Sequence, residues 1–232
     1  SNTIVLADLL GALGAIYQAL GRDDEARSVY KKSLQIQEEL LPRDHPDIAV
    51  TLSNLGAIFL QNGELAAAEE AYKRCLKIRE AIFGTTSALV AMALDNVAEV
   101  LSVRGNLDAA KDLYVRALEI NRREKYAGGV AINALHLARL HLKQGHLSWA
   151  AERYKEALEA KTVAYGENSP ELTGALLGLA TVHARRGEWV ASGTFSQRAV
   201  EIAVQKDRAG TIFDRSERLA EIAETGDAIR VR

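Results

Sequence analysis

The chain has 232 residues, 48% of them apolar and 26% charged, with 29 basic side chains against 31 acidic ones. A formal charge of −2 provides no net field to draw in nucleic acid or anionic lipid, and no apolar run reaches the roughly 18 residues of a membrane-spanning helix. A single cysteine, Cys75, rules out an intramolecular disulfide and fits a reducing compartment, so a cytoplasmic location is expected.

Gly21, Gly63, Gly105, Gly145 and Gly187 stand 42, 42, 40 and 42 residues apart, each inside the same pattern of apolar and small residues. A fixed period of this size means one helical hairpin, unable to bury its apolar face alone, stacked on copies of itself. The first unit, about 3–44, opens at Thr3. The second, about 45–86, is the clearest: Leu52, Leu55, Gly56, Ile58 and Phe59 mark one amphipathic helix, Asn62-Gly63 interrupts, and Ala68, Tyr72, Cys75, Leu76 and Ile78 line a second. Helix pairs are expected near 46–61 with 64–82. The third unit, about 87–126, and the fourth, about 127–168, repeat the pattern. In the fifth, about 169–210, the pair is expected near 170–185 with 188–204. A partial sixth unit or capping helix occupies 211–232, with Ile212 to Glu224 in helix-A register. Together they predict one domain spanning 3–232.

The boundaries carry local signals. His45, Ser87 and Ser169 share the column before the first helix of a unit, with Thr3 in the same place, and Pro46 and Pro170 take the first helical position. Gly84 and Gly166 follow an aromatic residue where the second helix should end in a left-handed turn. Packing columns emerge on alignment: Gly14, Gly56, Ala98, Ala138 and Ala180 in one, and Ala26, Ala68, Ala110, Ala150 and Ser192 in another. Tyr30, Tyr72, Tyr114 and Tyr154 fill a third, where the fifth unit has Ser196.

These offsets resemble the tetratricopeptide repeat. The 42-residue unit, with Asp44-His45-Pro46-Asp47 leading into Thr51-Leu52-Ser53-Asn54-Leu55-Gly56 and closing at Tyr72-Lys73-Arg74-Cys75-Leu76-Lys77-Ile78-Arg79-Glu80, is similar to the kinesin light chain type. The resemblance implies an all-α fold: a right-handed superhelical solenoid of five helix-turn-helix repeats plus a C-terminal helix, its inner wall made by the first helix of each unit. Paired asparagines on that wall hold extended peptides in the family. Here Asn54 and Asn96 keep the second member, while Ser53 and Asp95 replace the first. The groove candidates are therefore Ser53, Asn54, Asp95, Asn96, Glu99, His136, Arg139, Lys143 and Arg185. An asparagine amide both donates and accepts, so it can bond a peptide backbone whatever the peptide's side chains. The carboxylate clamp of chaperone-tail receptors maps onto Gly11, Ala15, Asn54, Met92 and Asn96, and only Asn54 matches.

The other chemistries are weakly signalled. His136 and His141 are five residues apart, not the three or four that would place two ligands on one helical face, so no metal site and no cofactor is expected. His141 and His183 share a packing column with Tyr17, Phe59 and Leu101. Cys75 shares one with Ser33, Ala117, Ala157 and Ala199, which reads as a small core position. No phosphate loop, dinucleotide glycine fingerprint, nucleophile elbow or paired-histidine zinc helix occurs, so catalysis is not expected. The leading reading is a non-catalytic scaffold that binds an extended peptide segment of a protein partner in its concave groove. Self-assembly through the N-terminal end, or service as a regulatory repeat module of a larger protein, is the alternative. Helical-repeat RNA binding through Arg104, Arg139, Lys143, Arg185 and Arg186 comes third.

Overall fold

The computed structural model describes residues 2–205, and every regular element among them is helical. In chain order these are α1 (Asn2–Ala19), α2 (Asp23–Leu40), α3 (Pro46–Gln61), α4 (Leu65–Phe83), α5 (Ala88–Val103), α6 (Leu107–Arg123), α7 (Ala127–Lys143) and α8 (Leu147–Tyr165). A 3-10 turn (Pro170–Leu172), α9 (Thr173–Arg185) and α10 (residues 189–205) follow. The sixth unit expected at 211–232 lies outside the described residues. The chain forms two compact units, Ser1–Leu140 and His141–Arg232. In the first unit α1 packs on α2, α3 on α4 and α5 on α6 as hairpins, and α2 and α4 also cover the helix that follows them.

The periodic glycines end the first helix of each pair. Gly21, Gly63, Gly105, Gly145 and Gly187 all have φ between 70° and 84°. In each turn the next residue's N–H reaches back five residues: Arg22 to Tyr17, Glu64 to Phe59, Asn106 to Leu101, His146 to His141 and Glu188 to His183, at 2.8–2.9 Å. This is the Schellman bond, which satisfies a carbonyl that the helix end would otherwise orphan. The 40-residue interval has a local cause. Between α6 and α7 the same turn is made without glycine, Lys125 standing at φ 54° while Tyr126 N–H bonds Asn121 O at 2.9 Å. The shorter link removes two residues from the period.

His45 Nδ1, Ser87 Oγ and Ser169 Oγ each accept from the backbone N–H two residues on, at 3.2–3.3 Å, as N-caps should. Two local expectations are corrected. Thr3 is inside α1, which already begins at Asn2, so it does not cap that helix. Gly84 and Gly166 do have positive φ, but with ψ −178° and 164° they leave their helices extended rather than through a left-handed helical turn.

The packing columns hold. Ala26, Ala68, Ala110 and Ala150 are completely buried, as are Tyr30, Tyr72, Tyr114 and Tyr154 to within 3%. A Cβ on Gly14 or Gly56 would come within 2.6 Å of the Tyr30 or Tyr72 ring, so the small residue makes room for the aromatic one in its own hairpin. Burying each large side chain contributes about 1.5–3 kcal/mol. One helix has no such cover. Leu6, Leu13 and Ile16 on α1 hold the columns that Ile48, Leu55 and Ile58 fill on α3, yet they are 48%, 36% and 56% exposed against 0–2% for their equivalents.

A further column is polar and buried: Gln37, Arg79, Asn121 and Lys161, one near the end of the second (B) helix of each of the first four hairpins. Each reaches the early part of the next unit's first helix. Gln37 Oε1 accepts from Thr51 Oγ1 at 2.9 Å, and Arg79 Nη1 donates to Leu89 O at 3.0 Å. Asn121 Nδ2 donates to Asn133 Oδ1 at 2.7 Å, and Lys161 Nζ to Glu171 O at 2.8 Å. A group buried this deeply is costly unless bonded, so the column fixes the register of each hairpin on the next. Ion pairs between successive B helices recur one period apart, Glu38 with Arg74 and Glu80 with Arg116.

Candidate functional site

Seven of the nine groove candidates lie on the first helices of the first unit: Ser53 and Asn54 on α3, Asp95, Asn96 and Glu99 on α5, and His136 and Arg139 on α7. Lys143 and Arg185, both exposed, end α7 and α9 within the second unit, where Arg185 Nη1 donates to Leu142 O at 3.1 Å. Ser53, Asn54, Asn96 and His136 are half-buried, Glu99 and Arg139 exposed. Asn96 Nδ2 donates to Ser53 Oγ at 3.4 Å, joining α5 to α3 across this face.

Asp95 is placed differently from its neighbours. It is buried, and its Oδ1 accepts from Asn133 Nδ2 at 2.6 Å and from His136 Nδ1 at 3.0 Å. Asn133 in turn accepts from Asn121, so four side chains form one chain of bonds from α6 through α7 to α5. A carboxylate can only accept, so Nδ1 of His136 is the donor in this bond. The ring of Tyr114 lies against that imidazole, centroids 5.0 Å apart. Burial, with the Asp95 and Glu99 carboxylates adding to it, pushes the Tyr72 and Tyr114 hydroxyls far above the usual phenol range. Both remain neutral phenols. The arrangement therefore offers hydrogen-bonding groups at Asn54, Asn96 and His136, with one acid and one base exposed beside them at Glu99 and Arg139.

Asn54, Asn96 and His136 occupy the same column, and the fifth unit puts Gly178 there, hard against the Tyr154 ring. Its last two members, His136 and Gly178, lie against the tyrosine of the preceding hairpin, Tyr114 and Tyr154. Elsewhere, burial pushes the Cys75 thiol up, in keeping with a core position. His183 stacks on Phe195 at 5.3 Å and pairs with Glu188, while His141 lies 6.2 Å from Trp149. Both are half-buried between helices.

Sequence reasoning missed Asn133 and Asn121, which hold Asp95 and through it His136. The signal available was the 42-, 42- and 40-residue recurrence of long polar residues at Gln37, Arg79, Asn121 and Lys161, a regularity that a solvated face would not need.

With glycine-ended hairpins, small-residue columns and buried tyrosines described, a comparison with known families is decisive: the tetratricopeptide repeat profile matches residues 5–81 and 89–162. The chain belongs to the tetratricopeptide repeat family. Its fold resembles that of solved tetratricopeptide structures, among them one that carries the kinesin light chain name. The crystal structure of BtubC (BKLC) from P. vanneervenii is 23% identical with a TM-score of 0.76, over 88% of this chain and 82% of that one. A Podosopora anserina chain of nearly identical TPR-like repeats, which carries the kinesin light chain name, is 17% identical with a TM-score of 0.74, over 90% and 99%. The Rap conjugation gene regulator of plasmid pLS20, in complex with the Phr* peptide, is 17% identical with a TM-score of 0.69, over 84% of this chain and 52% of that chain. At these identities the likeness is one of fold. No curated protein matches the sequence. As a tetratricopeptide repeat protein, the chain is a protein-interaction scaffold; no described helix is long and apolar enough to cross a membrane.

Proposed function

We propose that this scaffold is non-catalytic and binds an extended peptide segment of a partner along the first helices of its hairpins, the whole array acting as one domain. The observation that carries the reading is the Asn54–Asn96–His136 column. It presents half-buried hydrogen-bonding groups at a spacing of one per hairpin, each on a packed helix. Asn96 spends its amide N–H on Ser53, so its carbonyl oxygen is left to accept a peptide N–H, and His136 keeps Nε2 for a second bond. Arg139 and Lys143, one turn apart on α7, would favour an acidic segment, while Glu99 would favour a basic residue beside it. The peptide complex of the Rap regulator, a protein of the same fold, supports the class of ligand.

A peptide-library screen tests this with wild type, Asn54→Ala/Asn96→Ala and Arg139→Glu/Lys143→Glu. Losing two backbone contacts of about 0.5–1.5 kcal/mol each should weaken selected peptides by about tenfold or more. Reversing the two bases should shift selection away from acidic peptides, and wild-type binding should weaken with salt. If all three proteins select the same sequences with the same affinity, the surface is wrong even though the fold is right.

The exposed Leu6, Leu13 and Ile16 face of α1 favours a second reading, association through the N-terminal end. Light scattering over a hundredfold dilution tests it on the order of micromolar affinities. A strict monomer at every concentration would remove self-association.

A further inference from the structure

One column on the face of the proposed peptide site is apolar. Val50 on α3, Met92 on α5 and Ile132 on α7 stand 42 and 40 residues apart, the spacing of the repeat itself. They are 53%, 48% and 44% exposed, while the alanine just before each, Ala49, Ala91 and Ala131, is buried. Each lies four residues before Asn54, Asn96 or His136, and so one turn along the same helical face. Three residues beyond that column, on the same face again, come Ala57, Glu99 and Arg139. The face therefore carries three parallel rows: one apolar, one hydrogen-bonding and one that is charged on α5 and α7.

The apolar and hydrogen-bonding rows come and go together. In the first hairpin the equivalents of Val50 and Asn54 are Asp8 and Ala12, and in the fifth they are Gly174 and Gly178. This column thus displays a large apolar side chain in the three hairpins that have an amide or imidazole one turn on, and in neither of the others. Packing does not require it, because Asp8 and Gly174 are exposed at the same place. A described hairpin precedes and follows each of the three in sequence, so their exposure is not that of a terminal hairpin. Asn96 bonds Ser53 and His136 bonds Asp95, which joins α3, α5 and α7 side by side within the first unit.

We propose that the Val50–Met92–Ile132 row takes the large apolar side chains of the bound segment, so that the ligand is an extended peptide with an aliphatic or aromatic residue at every second or third position. The inference rests on the reading that a peptide lies over Asn54, Asn96 and His136, and it names the class of sequence that peptide must have. Helices packed side by side lie about 8–10 Å apart, and an extended chain rises about 3.1–3.4 Å per residue, so one anchor per hairpin means one every two or three residues. Residues two apart share an edge of a β-like strand, and residues three apart share an edge of a polyproline II chain. Either form sets its anchors on the apolar row while its backbone meets the amides. Charge complementarity selects the other edge of the same occupant: a basic residue beside Glu99 and, one hairpin on, an acidic residue beside Arg139.

Two peptide libraries test this, one with Leu, Ile, Met or Phe fixed at every second or every third position and one with Ser at those positions. They are screened against the full chain, Met92→Ser/Ile132→Ser and Asn54→Ala/Asn96→Ala. The apolar library should yield ligands and the serine library none, and affinity should fall by about tenfold or more in Met92→Ser/Ile132→Ser. Because both side chains are so exposed, that change should leave the urea midpoint nearly unmoved, and Met92→Leu/Ile132→Val should keep the binding. If ligands lose affinity in Asn54→Ala/Asn96→Ala yet bind Met92→Ser/Ile132→Ser equally well, or if serine peptides are selected as readily, this inference is overturned and the peptide reading stands. If neither library yields a ligand, both fall. A photo-crosslinker at Met92 that captures a second copy, or residues 206–232 of the same chain, in place of peptide also overturns the proposal.

Discussion

In the first unit, Asn121, Asn133 and Asp95 withdraw from solvent into a bonded chain that ends on His136, whereas in the second unit Trp149 and Trp189 stand out into solvent. The hairpin frame is common to both. The first unit buries its unusual polar residues in a bonded chain, whereas the second exposes its two tryptophans. The columns that stay constant between hairpins build the frame, and those that change set which polar and aromatic side chains are buried or exposed.

The sharpest way to break that comparison is to cut the buried chain. Asn133→Ala leaves Asn121 Nδ2 without its acceptor and removes one of the two bonds to Asp95. A buried polar group left unsatisfied costs about 1–3 kcal/mol, so a loss near 3 kcal/mol is expected in urea unfolding. In an Asn121→Ala background the same change should cost clearly less, because one orphan is already gone. Additive losses would show that the residues do not act as a chain.

Next in size is the frame itself. Ala110 is fully buried between the helices of its hairpin, and overpacking costs about 1–3 kcal/mol, so Ala110→Leu should lower the unfolding midpoint clearly. Glu70, exposed on α4, should change stability by less than about 0.5 kcal/mol when replaced by Ala. Equal effects would mean that the packing columns are misassigned.

The smallest effect is expected at the second unit's edge. Trp189→Ala removes the largest side-chain type from the chain, yet at 71% exposure it should move stability by no more than about 0.5 kcal/mol. A loss comparable to that of Ala110→Leu would show that Trp189 is packed rather than displayed, and the contrast between the units would fail.

Local signals were the legible part. Glycine turns, N-caps at His45, Ser87 and Ser169, and both helices of the second and fifth hairpins could be read because each depends on residues within a few positions of one another. Their energetic causes, a left-handed turn or a capped amide, do not require knowledge of the rest of the chain. The candidate face was legible as a set of helices and columns, since Asn54, Asn96 and His136 repeat with the period.

By itself, the amino-acid sequence determined the family, the hairpin period and the packing columns, because five approximate copies average out accident and leave the constraints of the frame. Only the tertiary structure decided the fate of individual polar and aromatic side chains. Asp95 reads as a groove acid until Asn133, 38 residues away, is seen to bond it. Burial depends on what a neighbouring helix brings to the contact. That information is spread across units rather than written at the residue itself.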